Sequence, residues 1–421
     1  MRTFGLIDGS SFYCSAERAF APELRGEPVI VLSNNDGCAI ARTAEAKARG
    51  IKMGDAWHLI RQRPEVRDVR WFSSNYALYG DMSRRVYEVL AARVPRVEPY
   101  SIDEMFLDLD LPAGVDVTAF CAGLREVVRQ IAKIPTCIGY GPTKTIAKLA
   151  NGVAKDRPEL RGLCDLRDPH VRAQIYAELP AGEVWGIGGR TAEKLDRRGV
   201  RTIADFVAMD ARQTRELLTV VGARVQAELR GTSCLPLSLI VPSRKGLAVT
   251  RTFGEPTADW ATLREAVAAY ATRAGEKLRA GGLLATVMTV FCHTNPHNGD
   301  PWHSAQRTAQ IEPTSDSLAL IAEAVRLLRP CWKQGYRYSK AGVMLAELVP
   351  AMRQPVQLFP TRDPVQSARA MATLDTINGR FGRGTLRPLA TGIARPWQAQ
   401  ARNLSPRYTT RAGEMMMARV W

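Results

Sequence analysis

The first 165 residues alternate short apolar runs with segments of helical periodicity. The apolar runs predict strands at Thr3–Ile7, Pro28–Leu32 and Thr136–Tyr140, and Val97–Leu109 predicts two short strands around a turn. Apolar positions at helical spacing predict helices at Phe12–Phe20, Arg42–Arg49, Tyr76–Arg93, Thr118–Ala132 and Lys144–Ala154. Strands and helices mixed in this order indicate an α+β layer with an antiparallel sheet.

The pattern changes further along the chain. Residues 179–230 have helical patterns joined by glycine turns, which predicts a small all-helical module. Residues 243–349 mix predicted strands, at Leu284–Cys292 and Gly342–Leu348, with predicted helices, at Leu263–Arg279 and Ser317–Arg329. After Pro350 the sequence is rich in Pro, Gly, Gln and Arg with little periodicity, which predicts a tail or docking segments.

The chain has 421 residues, enough for two to four domains, and a net charge of +16. This charge favours a polyanionic partner, nucleic acid first and an anionic membrane surface second. The longest nearly apolar stretch, Ala280–Cys292, is too short to span a bilayer, so we set the membrane aside. Residues 1–165 hold 23 basic and 21 acidic residues, whereas residues 353–421 hold 11 and 3. Half of the excess charge therefore lies in the predicted tail.

The eight cysteines are scattered, without a C-x-x-C pair or a regular spacing. Such cysteines are typical of a reduced protein in which most of them are buried. No basic and apolar leader precedes Thr3–Asp8. We therefore expect a cytoplasmic chain.

Three carboxylates are the strongest candidates for chemistry. Asp8 lies at the end of the first predicted strand, and Asp103 and Glu104 lie within Val97–Leu109. Carboxylates without Cys or His favour a hard cation such as Mg²⁺ or Mn²⁺. The alternative is a set of exposed turn carboxylates balanced by arginines. Adjacent strand residues point to opposite faces, so Asp103 and Glu104 can converge only on a turn or bulge.

Basic residues and a glycine turn accompany the carboxylates. Lys144, Lys148 and Lys155 recur on one face of a predicted helix, where they either pair with a triphosphate or form a solvated face. Val184–Thr191 contains a G-x-G turn that leads into a helix and exposes backbone N–H groups, as in helix-hairpin-helix binding of a DNA backbone. Many tight loops share this turn. Phe12 and Tyr13 follow Asp8 by four and five residues, and for Phe12 we favour a position in the core.

The histidines do not indicate zinc. The stretch His293–His303 contains three histidines, but Pro296 and Pro301 disrupt helical spacing and no second cysteine lies near Cys292. We interpret this stretch as a polar loop.

Several strings together resemble the Y-family of translesion DNA polymerases, and within it the UmuC type, over essentially the whole chain. The strings are Asp8 with Phe12-Tyr13, Ser33–Arg42 continuing to Gly54, Ser73–Tyr76, Tyr100–Glu104, Thr143–Asn151, Val184–Gly188, Gly382–Thr385 and Leu404–Arg411. The resemblance implies a right-hand polymerase with a ferredoxin-like palm (residues 1–11 and 74–165), fingers (12–73), a helical thumb (166–235), an α/β little finger (243–350) and a C-terminal tail for partner docking (351–421).

The resemblance also implies roles for individual residues. Asp8, Asp103 and Glu104, with the Gly9 carbonyl, would hold two Mg²⁺ ions, with Mn²⁺ possible. The nucleotide would meet Phe12, Tyr13, Arg42, Lys47 and Lys155, with Tyr13 as the steric gate against a ribose 2′-hydroxyl. DNA would meet Gly186, Gly188, Arg190 and Thr191.

The sequence departs from the family pattern at two places. Ala44 stands where many Y-family members have a triphosphate-binding tyrosine, although UmuC-type proteins share the small residue. The clamp-binding pentapeptide is reduced to Gln354, Gln357, Leu358 and Phe359 within Gln354–Phe359.

The resemblance implies low-fidelity, template-directed DNA synthesis in the SOS response to DNA damage. Primer-template DNA and dNTP would be the substrates. The expected partners are a processed UmuD-like dimer, RecA and the sliding clamp, in the cytoplasm of a bacterium and at the nucleoid when active. The alternatives are a non-catalytic DNA-binding scaffold that recruits repair partners and a metal nuclease using the same carboxylates.

Overall fold

The computed structural model describes residues 2–239, 243–353 and 363–415. The chain divides into a first unit, residues 1–33, 37–241 and 403–421, and a second unit, residues 34–36 and 242–402. Strands of the first unit are β1 (Phe4–Gly9), β2 (Val29–Leu32), β3 (Ala39–Arg42), β4 (Arg70–Ser73), β5 (Val97–Pro99), β6 (Glu104–Asp108), β7 (Thr136–Gly141) and β8 (Leu163–Asp165). Its helices are α1 (Phe12–Phe20), α2 (Ala44–Ala48), α3 (Trp57–Ile60), α4 (Tyr76–Ala91), α5 (Val117–Ala132), α6 (Lys144–Asp156), α7 (Pro169–Glu178), α8 (Gly189–Asp196), α9 (Ile203–Ala208) and α10 (Ala211–Leu229).

A five-stranded sheet in the order β5-β6-β1-β7-β8 forms the centre of the first unit. Its pairs are antiparallel except β7 with β8, which is parallel. Every residue of β1 is buried because helices cover both faces. Ile7 belongs to the large cluster formed with α1, α4 and α5, whereas Phe4 and Leu6 pack with Ala147 of α6. Since strand residues alternate between faces, Asp8 shares the α6 face with Phe4 and Leu6.

Three local features fix α6 against this sheet. The Thr143 hydroxyl accepts a hydrogen bond from the Ile146 N–H and caps the helix start. Asn151 donates to the carbonyl oxygens of Leu6 and Cys137, at 3.1 and 2.9 Å. Gly139 allows the close approach, because a Cβ there would lie 1.9 Å from the Asn151 nitrogen.

A smaller sheet, in the order β3-β2-β4, stands beside the first. Its core contains Ile30, Leu32, Ile51 and Trp57. The helix expected at Arg42–Arg49 is shorter than predicted, because Arg42 ends β3 and Thr43 caps α2 by accepting from the Ala46 N–H. Strand pairing with β2 therefore decides the conformation of Arg42.

Residues 179–230 contain α8, α9 and α10, in keeping with the helical pattern. Their core includes Leu195, Ile203, Phe206 and Leu229. Five of the eight cysteines, Cys14, Cys121, Cys164, Cys292 and Cys331, are buried, and all eight are free thiols, as expected.

The second unit contains β9 (Gly246–Thr257), α11 (Trp260–Ala280), β10 (Leu283–His293), β11 (Ser304–Thr314), α12 (Ser317–Leu328), β12 (Tyr338–Ala346), β13 (Val349–Pro350) and α13 (Pro364–Phe381). Its sheet has the order β11-β10-β12-β9, and α11 and α12 pack on one face of it. The sequence pattern missed β9 and β11. Both lie at the sheet edges, and the mostly exposed residues of β11 give little apolar alternation.

The expectation of little regular structure after Pro350 is wrong for the described residues. Helix α13 buries only Met371 and Leu374, which explains its weak apolar periodicity. Arg279 binds Asp375 of α13 through two hydrogen bonds of 2.7 Å. Trp397 lies in the core of the second unit, edge-on to Tyr270.

Within the described ranges, none of the helices combines the length and the apolar character that crossing a membrane requires.

The buried ion pair between Lys144 and Glu98 generates a stability prediction. The two side chains are 6% and 10% exposed, and the Lys144 ammonium lies 2.7 and 2.9 Å from the two Glu98 carboxylate oxygens. Lys144→Met leaves a buried charge unpaired, so we expect it to lower the free energy of unfolding by about 3–5 kcal/mol.

Denaturant unfolding measures this change, with Arg129→Met as the control. Arg129 forms an exposed pair with Glu126, so its loss should cost less than about 1 kcal/mol. Adding Glu98→Gln to Lys144→Met should recover part of the loss. Equal effects of Lys144→Met and Arg129→Met would contradict this account.

Candidate active site

The three predicted carboxylates lie at one end of the central sheet. Asp8 is the next-to-last residue of β1, and its Cα pairs with that of Glu104, the first residue of β6. Asp103 precedes the strand in a turn, where its carbonyl oxygen accepts the Gly9 N–H at 2.9 Å. The Ser101 hydroxyl donates to Asp103 Oδ1 at 2.6 Å and accepts the Glu104 N–H at 2.9 Å. Asp103 and Glu104 thus lie at a turn, which is the condition under which neighbouring residues can point to the same side.

Lysines of α6 pair with the carboxylates that the sheet directs toward this helix. Lys155 Nζ lies 2.6 Å from Asp8 Oδ2, and Lys148 Nζ lies 2.6 Å from Glu104 Oε1. Lys144 pairs with Glu98 in the same manner. The three lysines do share one helix face, as the spacing predicts. However, that face is turned to the sheet, with Lys144 buried, Lys148 partly buried and Lys155 exposed at its outer end.

Burial makes Asp8 electrostatically unusual. Its side chain is 7% exposed, and this desolvation raises the pKa of the Asp8 carboxyl to about 6. The Lys155 ammonium acts in the opposite direction, while the charges of Asp103 and Glu104 raise the pKa further. A strongly perturbed carboxyl in a cleft marks a candidate functional site.

A cleft of about 420 Å³ brings most of the predicted site residues together. Its lining includes Asp8, Gly9, Phe12, Tyr13, Arg42, Lys47, Asp103 and Lys155. Glu104 lies beside this cleft, where its charge acts on Asp8. Carboxylates therefore meet three cationic side chains around one open space.

Two cations reach the cleft from the small sheet and its helix. Arg42 is held by a hydrogen bond from Nη1 to the Ile51 carbonyl oxygen, at 3.0 Å. Its buried Nε atom has no hydrogen-bond partner among the residues that the structure describes. Lys47 lies in α2, whose start is fixed by the Thr43 cap. The positive charges of Arg42 and Lys47 at the cleft suit an anionic ligand.

Aromatic rings fix the position of Tyr13. Its ring stacks on Tyr79 with centroids 4.4 Å apart and planes inclined by 16°, and Tyr76 meets it edge-on at 6.1 Å. Phe12 is buried in the core cluster, as expected from the sequence, and also lines the cleft. Burial raises the pKa of the Tyr13 hydroxyl above its ordinary value.

The oxygen atoms at this site are of the chemical type that binds a divalent metal ion. Carboxylate oxygens of Asp8, Asp103 and Glu104 are hard ligands, and no thiol or imidazole lines the cleft. Yet within the described ranges no group of three or more Asp, Glu, His and Cys is arranged to hold a metal ion. The carboxylates are instead engaged by Lys148, Lys155 and Ser101.

The glycine turn lies at the start of α8, away from this cleft. Gly186 has a left-handed φ of 92°, and Gly188 is the N-cap residue. Gly186, Gly188 and Arg190 are exposed and Thr191 is half-buried, while Ile187 anchors the turn in the core. The four predicted clamp residues, Gln354, Gln357, Leu358 and Phe359, lie outside the described residues.

Sequence reasoning missed the contacts of three residues that shape the site. The sequence predicts that Lys148 pairs with a triphosphate or lies on a solvated face, whereas in the structure it pairs with Glu104. Tyr76 and Tyr79 flank Tyr13, and their spacing of three residues at the start of α4 was the available signal.

Comparisons with known proteins identify the fold and the family of this chain. Residues 7–152 match the impB/mucB/samB family, residues 244–358 match the C-terminal domain of that family, and residues 368–418 match a domain of unknown function. A solved Y-family DNA polymerase chimera of Dbh and Dpo4 aligns with a TM-score of 0.64 at 18% identity, over 82% of this chain and 99% of that one. The fold is therefore that of a Y-family DNA polymerase.

Curated relatives narrow the identification. The chain is 41% identical to protein ImpB of Salmonella typhimurium, over 99% of this chain and 100% of that protein. It is 39% identical to protein UmuC of Salmonella typhimurium strain LT2, over 98% of this chain and 99% of that protein. It is 27% identical to DNA polymerase IV 1 of Bacillus subtilis strain 168, over 91% of this chain and 92% of that protein. The chain belongs to the impB/mucB/samB family and is a translesion DNA polymerase of the UmuC type. Membership of this family implies the use of a divalent metal ion.

Proposed function

We propose that the cleft carries out template-directed nucleotidyl transfer, in which the primer 3′-hydroxyl attacks the α-phosphorus of a dNTP. The observation that carries this proposal is the meeting of carboxylates, cations and Tyr13 in one cleft. A scaffold needs no such combination. The reaction depends mainly on positioning and charge neutralisation, which these residue types supply.

Asp8, Asp103 and Glu104, with the Gly9 carbonyl, would hold two Mg²⁺ ions, and Mn²⁺ could replace them. When bound, such ions neutralise the charge on the attacking and leaving oxygens of phosphoryl transfer. The chain's own contribution is to hold the carboxylates near one another at the end of the sheet. Lys148 and Lys155 balance the negative charge of Glu104 and Asp8 in the meantime.

Arg42, Lys47 and Lys155 would bind the triphosphate of the incoming nucleotide. Each lines the cleft, and Lys155 is 39% exposed in spite of its contact with Asp8. Ala44 supplies no phenolic hydroxyl, so the triphosphate depends on these three cations. Small residues nearby, among them Gly37, Ala39, Ala41 and Ala44, would enclose the new base pair loosely, which favours damaged templates and low fidelity.

The domain roles follow the same proposal. Residues 1–11 and 74–165 would act as palm, 12–73 as fingers, 166–235 as thumb, 243–350 as little finger and 351–421 as the docking tail. Backbone N–H groups at Gly186, Gly188, Arg190 and Thr191 would hold DNA phosphates. In the second unit, the sheet face opposite α11 and α12 presents Thr289, Thr308 and Lys340, a polar surface suited to a duplex of any sequence.

Primer-template DNA and dNTP are the proposed substrates, and a processed UmuD-like dimer, RecA and the sliding clamp are the proposed partners. The proposed location is the bacterial cytoplasm, with binding to the nucleoid during the SOS response. Primer extension across an abasic site, with and without these partners, tests the whole proposal. Absence of dNTP-dependent extension under every condition would favour the scaffold, and primer degradation would favour the nuclease.

Loss of either carboxylate of the Asp103-Glu104 turn should stop synthesis. We expect Asp103→Ala or Glu104→Ala to reduce primer extension by at least about 10³-fold, because the transition-state charge is no longer neutralised. DNA binding should change little. The exposed carboxylate of Asp110, at the opposite end of β6, provides the control variant Asp110→Ala. Synthesis retained in Asp103→Ala or Glu104→Ala would refute the metal-site assignment.

Replacement of the sugar-facing aromatic ring should relax sugar selection. Tyr13→Ala should raise incorporation of ribonucleotides relative to deoxyribonucleotides by about tenfold or more, because a steric clash with the 2′-hydroxyl is removed. Single-nucleotide incorporation with paired rNTP and dNTP substrates measures the ratio. Tyr87→Ala, on the exposed side of α4, is the control. An unchanged ratio in Tyr13→Ala would reject the gate.

A further inference from the structure

Residues 403–411, which we call the C-terminal strap, are attached to the rest of the first unit at two places. The Ser73 N–H donates to the Asn403 carbonyl oxygen at 2.9 Å, and the Asn403 N–H donates back to the Ser73 hydroxyl at 3.0 Å. Further along, the Tyr408 ring stacks on Phe20 with centroids 4.8 Å apart and planes inclined by 10°. The strap therefore joins β4 to α1, although it lies more than 300 residues away in sequence.

Between these attachments the strap takes part in a buried hydrogen-bond relay. Asn75 Nδ2 donates to the hydroxyl and carbonyl oxygens of Ser405, both at 3.0 Å. Because the Ser405 oxygen accepts from Asn75, its own proton is available for Glu17 Oε1 at 3.0 Å. The Tyr79 hydroxyl donates to the same Glu17 oxygen at 2.6 Å. All four side chains are buried, with at most 5% exposure.

The relay ends at the ring that supports Tyr13. Tyr79 is fixed at its hydroxyl by Glu17, and its ring face lies 4.4 Å from that of Tyr13. Asn75 also caps α4 by accepting the Leu78 N–H, so one side chain positions both the strap and the start of the helix that carries Tyr79. The position of the Tyr13 ring thus depends on a chain of contacts that begins in the strap.

A carboxylate in this place is costly unless it is satisfied. Burial raises the pKa of the Glu17 carboxyl, and the hydrogen bonds from Tyr79 and Ser405 act against that shift. Apolar packing could fill the same volume without directional contacts. Hydrogen bonds to a buried carboxylate restrict the ring of Tyr79 in rotation and in translation, which apolar contacts do far less.

We propose that the C-terminal strap is a sugar-specificity element of the enzyme. Ser405, through Glu17 and Tyr79, holds the Tyr13 ring where it excludes a ribose 2′-hydroxyl. This inference rests on the proposed function, in which Tyr13 contacts the sugar. Ser405, Glu17 and Tyr79 are positioning residues, since none of them touches the nucleotide. The strap lies within the region that matches a domain of unknown function and gives that region a role in substrate choice.

The test measures the ratio of ribonucleotide to deoxyribonucleotide incorporation by the full chain, under conditions in which the wild type extends a primer. Ser405→Ala removes the relay donor, and Tyr79→Phe removes the hydroxyl but keeps the stacked ring. Each should raise the ratio by about three- to tenfold, with dNTP incorporation largely retained, because a lost buried hydrogen bond loosens the support of Tyr13. Arg411→Ala, which removes an exposed strap side chain paired with Glu414, is the control and should leave the ratio unchanged.

Tyr13→Ala is measured alongside and separates the two levels of the proposal. If Tyr13→Ala raises the ratio and Ser405→Ala and Tyr79→Phe do not, the strap has no role in specificity while the gate stands. If Tyr13→Ala leaves the ratio unchanged, the gate itself fails and the inference falls with it. If Ser405→Ala and Tyr79→Phe lower rNTP and dNTP incorporation equally, the strap only stabilises the fold and the proposal is overturned.

Discussion

Ion pairs between α6 and the central sheet hold the rest of the site in place. Strand order β5-β6-β1 brings Glu98, Glu104 and Asp8 to the α6 face in succession. Lysines at positions 144, 148 and 155 of the helix meet these carboxylates in the same succession. The buried pair of Lys144 and Glu98 anchors the helix, whereas the other two pairs hold Glu104 and Asp8 beside the cleft. Burial raises the pKa of the Asp8 carboxyl, and the Lys155 ammonium opposes that shift.

This arrangement has a functional consequence. A site that must gather negative charge for metal ions is unstable while it is empty, because the carboxylates repel one another and are partly desolvated. Lys148 and Lys155 relieve that repulsion, and under the proposed function the flexible side chain of Lys155 would move to a phosphate when a nucleotide binds. The nearly balanced charge of residues 1–165 reflects this pairing, and the excess positive charge belongs to later segments of the chain.

Local patterns predicted those parts of the structure that local burial decides. The apolar runs of β1 and β7 and the amphipathic faces of α4 and α5 are visible in the sequence because each buries a regular set of positions. Edge strands β9 and β11 and helix α13 bury too little to leave such a pattern. The convergence of Asp8, Asp103 and Glu104 followed from the family resemblance, but their lysine partners did not. The contact of Ser405 with Glu17, 388 residues apart, has no local signature at all.

We infer that the Lys155 ammonium, 2.6 Å from Asp8 Oδ2, supplies the positive charge that a bound metal ion would bring, and metal binding tests this directly. Titration of the nucleotide-free protein with Mn²⁺ at pH 8.0, where Asp8 is ionised, should show several-fold tighter binding for Lys155→Met than for the wild type. Arg157, which follows the end of α6, carries an equal charge and pairs with Glu178. Arg157→Met should therefore bind Mn²⁺ as the wild type does. Unchanged or weaker Mn²⁺ binding by Lys155→Met would contradict the account.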